Sequence, residues 1–170
     1  MHTSKVVVVN YDPAWRQEFE KIKGQLEDVL SAHVLSIEHV GSTSVEGLAA
    51  KPIIDIDIVI ADISKFQMVK FCLELLGYWH EGDLGIPGRE AFAYLGKPDL
   101  LTHHLYVCTR NSAELRRHIG FRDYLRSHPE DRDQYSRVKQ EAAKKFPDDI
   151  DAYLEEKDPF IRSIYDKCSL

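Results

Sequence analysis

The chain has 170 residues, 22 Lys and Arg against 28 Asp and Glu, a formal net charge of −6 and 44% hydrophobic residues. This length predicts one domain over residues 1–170, able to fold without a disulfide or structural metal, and the composition excludes a disordered chain, a collagen and a coiled-coil rod. No apolar run approaches the roughly 20 residues that span a bilayer, residues 1–10 lack a secretory pattern, and the acidic balance argues against bulk nucleic-acid binding while leaving room for a local basic patch, so a cytoplasmic protein with no membrane partner is expected.

Residues 5–9, with four consecutive Val, predict a short strand. Asp12-Pro13 predicts a helix start, with Asp as cap and Pro in the first turn. Trp15, Phe19, Ile22, Leu26 and Val29 then follow at helical spacing as one apolar stripe. A second strand is predicted over 34–40, running into Gly41-Ser42-Thr43-Ser44. Residues 53–60, alternating Ile with Asp and Val, give the strongest strand pattern in the chain. A helix over 64–76 turns Val69, Cys72, Leu73 and Leu76 inward, and Gly77 stops it. Residues 78–101 read as loop with one short strand at 91–95, and 102–109 as a strand. From about 111 onward only helices are predicted: 112–127, 130–146, 148–157 and 159–168, with breaks at Pro129, Pro147 and Asp158-Pro159. A strand-rich part (1–110) followed by a helical part (111–170) argues for an α+β, α/β-like fold. Cys72, Cys108 and Cys168 have neither Cys-x-x-Cys nor zinc spacing, so buried free thiols are expected.

Chemistry concentrates in three places. In a strand, Asp55 and Asp57 share one face and Ile54, Ile56 and Ile58 the other. Carboxylates ~6–7 Å apart repel by about 2.5 kcal/mol at an effective dielectric of 20, and burial adds to the cost. A divalent cation bridging them offsets it, Mg²⁺ favouring one or two carboxylates plus substrate phosphates; ion pairs with Lys or Arg are the structural alternative. Gly41, Ser42, Thr43 and Ser44 make a tight turn whose hydroxyls and N–H groups suit an anion, or simply cap a helix. It is no Walker A loop, because Leu48 stands where Lys is required. Of His103 and His104, adjacent and so on opposite faces, only His104 falls on the polar side with Thr102 and Tyr106. A hydrogen-bonded structural histidine is the alternative there, as it is for His39.

Gly41-Ser42, then twelve residues, then Asp55-Ile56-Asp57 resembles the signature of the nucleotidyltransferase superfamily. The longer run from His39 to Asp57, with Trp15, Arg89, Thr102-His103-His104-Leu105, Phe121-Arg122-Asp123-Tyr124-Leu125-Arg126, Tyr135, Lys139, Tyr153 and Lys157, resembles the GrpB family within it, over about residues 5–168. The resemblance implies a nucleotidyltransferase-like mixed β-sheet flanked by helices, with an all-helical C-terminal third. It also implies a reaction in which a nucleoside monophosphate passes from a nucleoside triphosphate, ATP above all, to an acceptor hydroxyl of unknown identity. Asp55 and Asp57 would bind Mg²⁺ or Mn²⁺ and act in catalysis with His104. Gly41, Ser42, Thr43, Ser44, Lys51, Arg89 and Lys139 would hold the nucleotide's phosphates, with Lys157 a further candidate. One departure stands out. Active superfamily members usually carry a third carboxylate on a later strand, where this chain has His104. Two other readings follow: a nucleotide- or coenzyme-binding sensor without turnover, and a metal-assisted phosphoester hydrolase.

Overall fold

A computed structural model describes residues 5–170. Residues 1–4, and with them part of the N-terminal reading, lie outside the described residues. Helix α1 (Ala14–Leu30) begins where the Asp12 carboxylate accepts the Ala14 N–H at 2.9 Å. It buries Trp15, Phe19, Ile22, Leu26 and Leu30 along one stripe. The strands are β1 (Ser36–Val40), β2 (Ile54–Ile60), β3 (Tyr78–Gly82), β4 (Arg89–Tyr94) and β5 (His103–Thr109), with α2 (Phe66–Leu75) between β2 and β3. They form one mixed sheet in the order β1-β2-β5-β4-β3, in which only β2 and β5 run parallel.

The sheet has two unlike faces. On one, Ile54, Ile56, Ile58, Leu105 and Val107 pack with α1 and α2 into the main core. Each such side chain contributes roughly 1.5–3 kcal/mol by leaving water. Across the other face lies α3 (Ala113–Ser127), its Leu115 and Ile119 against Val59 and Cys108. Helices α4 (Pro129–Lys145) and α5 (Ile150–Cys168) complete the helical third. Leu125, Tyr135, Phe160 and Ile161 there enclose Val45 and Leu48, which follow the Gly-Ser turn. Cys72 and Cys108 are buried free thiols, and Cys168 is partly exposed. Among the described residues no helix is long and apolar enough to cross a membrane.

The structure corrects three sequence expectations. Residues 5–9 are not a sheet strand: Val9 makes an isolated bridge to Ala50, and the Val6 N–H donates to the Pro147 carbonyl at 2.8 Å. Val6 gains its burial against Ala142 and Tyr153 of the helical third instead of on the sheet. Residues 78–82 form β3, whose Tyr78 joins the core. Asp158-Pro159 does not start a new helix, because α5 runs through it.

Candidate functional site

Gly41 adopts φ +72 and ψ −174, which favours glycine, and a Cβ there would overlap the Asp55 carboxylate. The turn backbone therefore lies directly against Asp55. Ser42–Ser44 form a single 3₁₀ turn, and the Ser44 N–H and hydroxyl both close onto the Gly41 carbonyl. Thr43 is buried. Its hydroxyl donates to the Ile53 carbonyl at 3.1 Å, and so accepts from His39 Nε2 at 2.9 Å. His39 stacks on Phe19 at 4.6 Å, and burial drives its pKa down to about 4. His39 is therefore a neutral structural histidine.

Ser42 faces a different direction from its neighbours. With Lys51, Asp55, His104, Lys139, Tyr153 and Lys157 it lines a cavity of about 160 Å³ between the sheet and the helical third. The three amines lie over aromatic faces, Lys139 at 4.5 Å from the Tyr135 centroid, Lys157 at 4.6 Å and Lys51 at 5.7 Å from that of Tyr153. Lys139 Nζ is buried with no hydrogen-bond partner. Burial, with Lys157 and Lys51 adding repulsion, pulls its pKa far below the ordinary lysine value, against the attraction of Asp55. Burial and Lys51 likewise lower Lys157 to about 8. An anion entering this cavity would meet three amines, the Ser42 hydroxyl and little competing negative charge beyond Asp55.

Asp55 and Asp57 share one face of β2, as the strand period requires. Asp55 Oδ1 accepts from His104 Nδ1 at 2.9 Å, leaving Nε2 of that ring to carry the lone pair. Asp57 is fully buried beneath α3, and His118 Nδ1 donates to its Oδ2 at 2.6 Å. Burial pushes the Asp57 carboxyl up, while the His118 bond and charge pull it back. Burial would lower His118, but Asp57, Glu114 and Asp55 outweigh that and raise it. Asp57 Oδ1 is buried without a partner. That orphaned oxygen beside Asp55 fits a hard divalent cation. No group of three or more His, Cys, Asp and Glu among the described residues is placed to hold a metal, so substrate oxygens would have to complete the coordination.

Not every expected residue converges. Thr43 and Ser44 line a separate cavity of about 730 Å³ behind the turn, with Arg16, Arg126 and Arg132; their hydroxyls are spent on holding the turn. Arg89 lies 4.3 Å over the Tyr106 ring, outside the lysine cavity. His103 is structural: Nδ1 donates to the Leu101 carbonyl at 2.8 Å, so Nε2 accepts from the Tyr78 hydroxyl at 2.7 Å.

The profile of the GrpB protein family matches residues 5–167. The chain belongs to the GrpB family. It is 35% identical over 159 residues to the UPF0157 protein YqkA of Bacillus subtilis, covering 94% of this chain but 46% of that one. The chain thus spans less than half the length of that relative. The crystal structure of conserved protein GrpB from Enterococcus faecalis superposes with a TM-score of 0.83 at 37% identity, covering 95% of this chain and 96% of that one. Cid1 in complex with the UTP analogue UMPNPP superposes with a TM-score of 0.54 at 12% identity, over 79% of this chain and 42% of Cid1. That likeness establishes a nucleotidyltransferase-like fold.

Within this GrpB chain the reading of sequence missed His118. The signal was present: His118 and Arg122 stand at inward helical positions between Leu115 and Leu125, where apolar residues would be expected. Arg122 fills its place by donating to Glu38 at 2.9 Å and to the His39 carbonyl at 3.1 Å.

Proposed function

We propose that this GrpB chain transfers a nucleoside monophosphate from a nucleoside triphosphate, ATP in the first instance, to an acceptor hydroxyl. The observation that carries this reading is the unpartnered, buried amine of Lys139, aimed with Lys51 and Lys157 at a cavity that also receives Ser42 and Asp55. Three amines around one small cavity match a polyphosphate tail. Mg²⁺ or Mn²⁺, when bound at Asp55 and Asp57, supplies Lewis acidity at the phosphate oxygens. The acceptor oxygen attacks the α-phosphorus, the new O–P bond forms, and the bond from the α-phosphorus to the bridging oxygen breaks. The acceptor proton passes to His104 Nε2, which Asp55 orients through Nδ1. Lys51, Lys139 and Lys157 neutralise charge on the departing pyrophosphate.

A sensor that binds without turnover is favoured by one feature, the His104 side chain where active superfamily members usually carry a third acid. Thermal shift with ATP, GTP, CTP and UTP, each with Mg²⁺, Mn²⁺ or EDTA, tests binding on wild type and on Asp55→Asn/Asp57→Asn. A ligand at 100 times its Kd stabilises by about 2.7 kcal/mol. A metal-dependent shift that the folded double variant lacks supports the site. No shift with any nucleotide and either metal sinks it. Pyrophosphate release that requires an added alcohol then separates transfer from sensing, and phosphate release in water alone would mark a hydrolase.

A further inference from the structure

Strands β3 and β4 leave part of the sheet uncovered. Phe92 and Tyr78 point into the main core. Their neighbours therefore face the opposite side: Trp79 opposite Ala93, Gly82 opposite Ala91, and Ala91 opposite Tyr106. Helix α3 covers this side over Asp57, Val59 and Cys108 and reaches the edge of Tyr106. Beyond it lies an open groove of about 440 Å³. Ala91 and Ala93 keep its floor low, Tyr106 lines one side, and the half-exposed Trp79 stands beside Ala93 across the β3–β4 register.

Two features show shaping. The β3–β4 register shifts between His80 and Gly82, and Glu81 at that irregularity lines the groove; bulges re-aim side chains in this way. Leu84 lines the rim with φ +51 and 60% exposure. A left-handed conformation strains an L-residue, and here it leaves an apolar side chain out of the core. Glu81 is the one fixed charge among the lining residues, and Arg89, 4.3 Å over the Tyr106 ring, is engaged on that wall. His104 lines both this groove and the lysine cavity.

We propose that this groove seats the acceptor, a neutral or cationic small-molecule alcohol with a flat apolar body. The proposal rests on the transfer reading above. The flat body lies over Ala91 and Ala93 between Trp79 and Tyr106, and a cationic substituent meets Glu81. The hydroxyl points to His104, where the two cavities meet. There the acceptor O–H loses its proton to His104 Nε2 as its oxygen bonds the α-phosphorus and pyrophosphate leaves.

Tyramine and 4-hydroxyphenylacetate, a cationic and an anionic phenol of similar shape, are suitable probes for NMR titration near pH 7. Tyramine is expected to shift the Trp79 indole N–H and the Ala91 and Ala93 methyls while leaving the buried Trp15 indole unmoved. It should bind about fivefold more tightly than the anionic probe, and Glu81→Gln should level the two. Ala93→Leu fills the floor and should abolish the tyramine shifts. Equal response to both probes, shifts outside the groove, or no shift would overturn the proposal. Stabilisation of the same variants by ATP and Mg²⁺ judges the nucleotide site separately. Its loss in wild type with an intact tyramine response fells the transfer reading and leaves a ligand groove; its retention without a tyramine response fells the groove alone.

Discussion

A buried polar group with no partner costs folding about 1–3 kcal/mol, and Lys139 Nζ is such a group. A side chain kept at that cost for a ligand should show opposite effects on stability and binding. Lys139→Met, which keeps the length and removes the amine, is expected to raise stability by about 1–3 kcal/mol, while lowering affinity for triphosphate at least tenfold. Urea unfolding beside calorimetric titration reads both quantities. A loss of stability would make Lys139 a structural residue. Gly41 makes the opposite case. Gly41→Ala must enter a backbone region almost reserved for glycine, a strain of about 1–3 kcal/mol, and its new Cβ displaces the Asp55 carboxylate. It should lower the unfolding midpoint and abolish the metal-dependent nucleotide shift together. A fully stable protein with an intact shift would show that the turn can move away from Asp55 freely.

At the scale of elements, periodicity made the interior of the sheet legible. Alternation in 53–60 and 102–109 assigned faces to Ile54, Asp55, Asp57, His103 and His104, and each side chain faces as that alternation requires. Termini and partners were less legible. The four Val before Asn10 have the composition of a strand, but Val7 and Val9 are exposed and Val6 and Val8 pack on α4 and α5, far away in sequence. Asp158-Pro159 carries a helix-start signature, yet tertiary packing overrides it: Tyr153 before it and Phe160 and Ile161 after it bury in separate clusters on one continuous helix. Pro159 leaves the Glu155 carbonyl without its intrahelical donor. The exposed Pro159→Ala change is therefore expected to stabilise by about 1–3 kcal/mol, each kcal/mol raising Tm by about 2–4 °C. A lower Tm would mean that a bend at Pro159 is what lets one helix serve both clusters.

The lysine cavity exists only when distant parts of the chain meet. Ser42 and Lys51 come from the turn region, Asp55 from β2, His104 from β5, Lys139 from α4 and Lys157 from α5. The spacing of the Gly-Ser turn and the two aspartates could be read along the sequence, because one strand and one turn set it. The convergence of Lys51, Lys139 and Lys157 was implied only by the family resemblance and by no spacing along the chain, because helix docking sets it. That docking also determines the protonation of the site. Burial and crowding hold Lys139 far below the ordinary lysine value and Lys157 at about 8, so without ligand Lys157 is partly neutral in mildly alkaline solution and Lys139 is biased towards its neutral form. A polyphosphate favours their charged forms and raises both pKa values. Binding must then take up protons, and affinity must fall as pH rises above the ligand-free values, by up to about tenfold per unit for each proton taken up. Titration of pyrophosphate at pH 8 in buffers of different ionisation enthalpy measures that uptake directly. Because pyrophosphate carries a proton of its own at this pH, the difference is what counts: wild type is expected to take up about one proton more than Lys139→Met/Lys157→Met. An uptake in wild type no greater than in that variant would mean that the anion does not reach these amines, and the phosphate-binding role assigned to the cavity would fall with it.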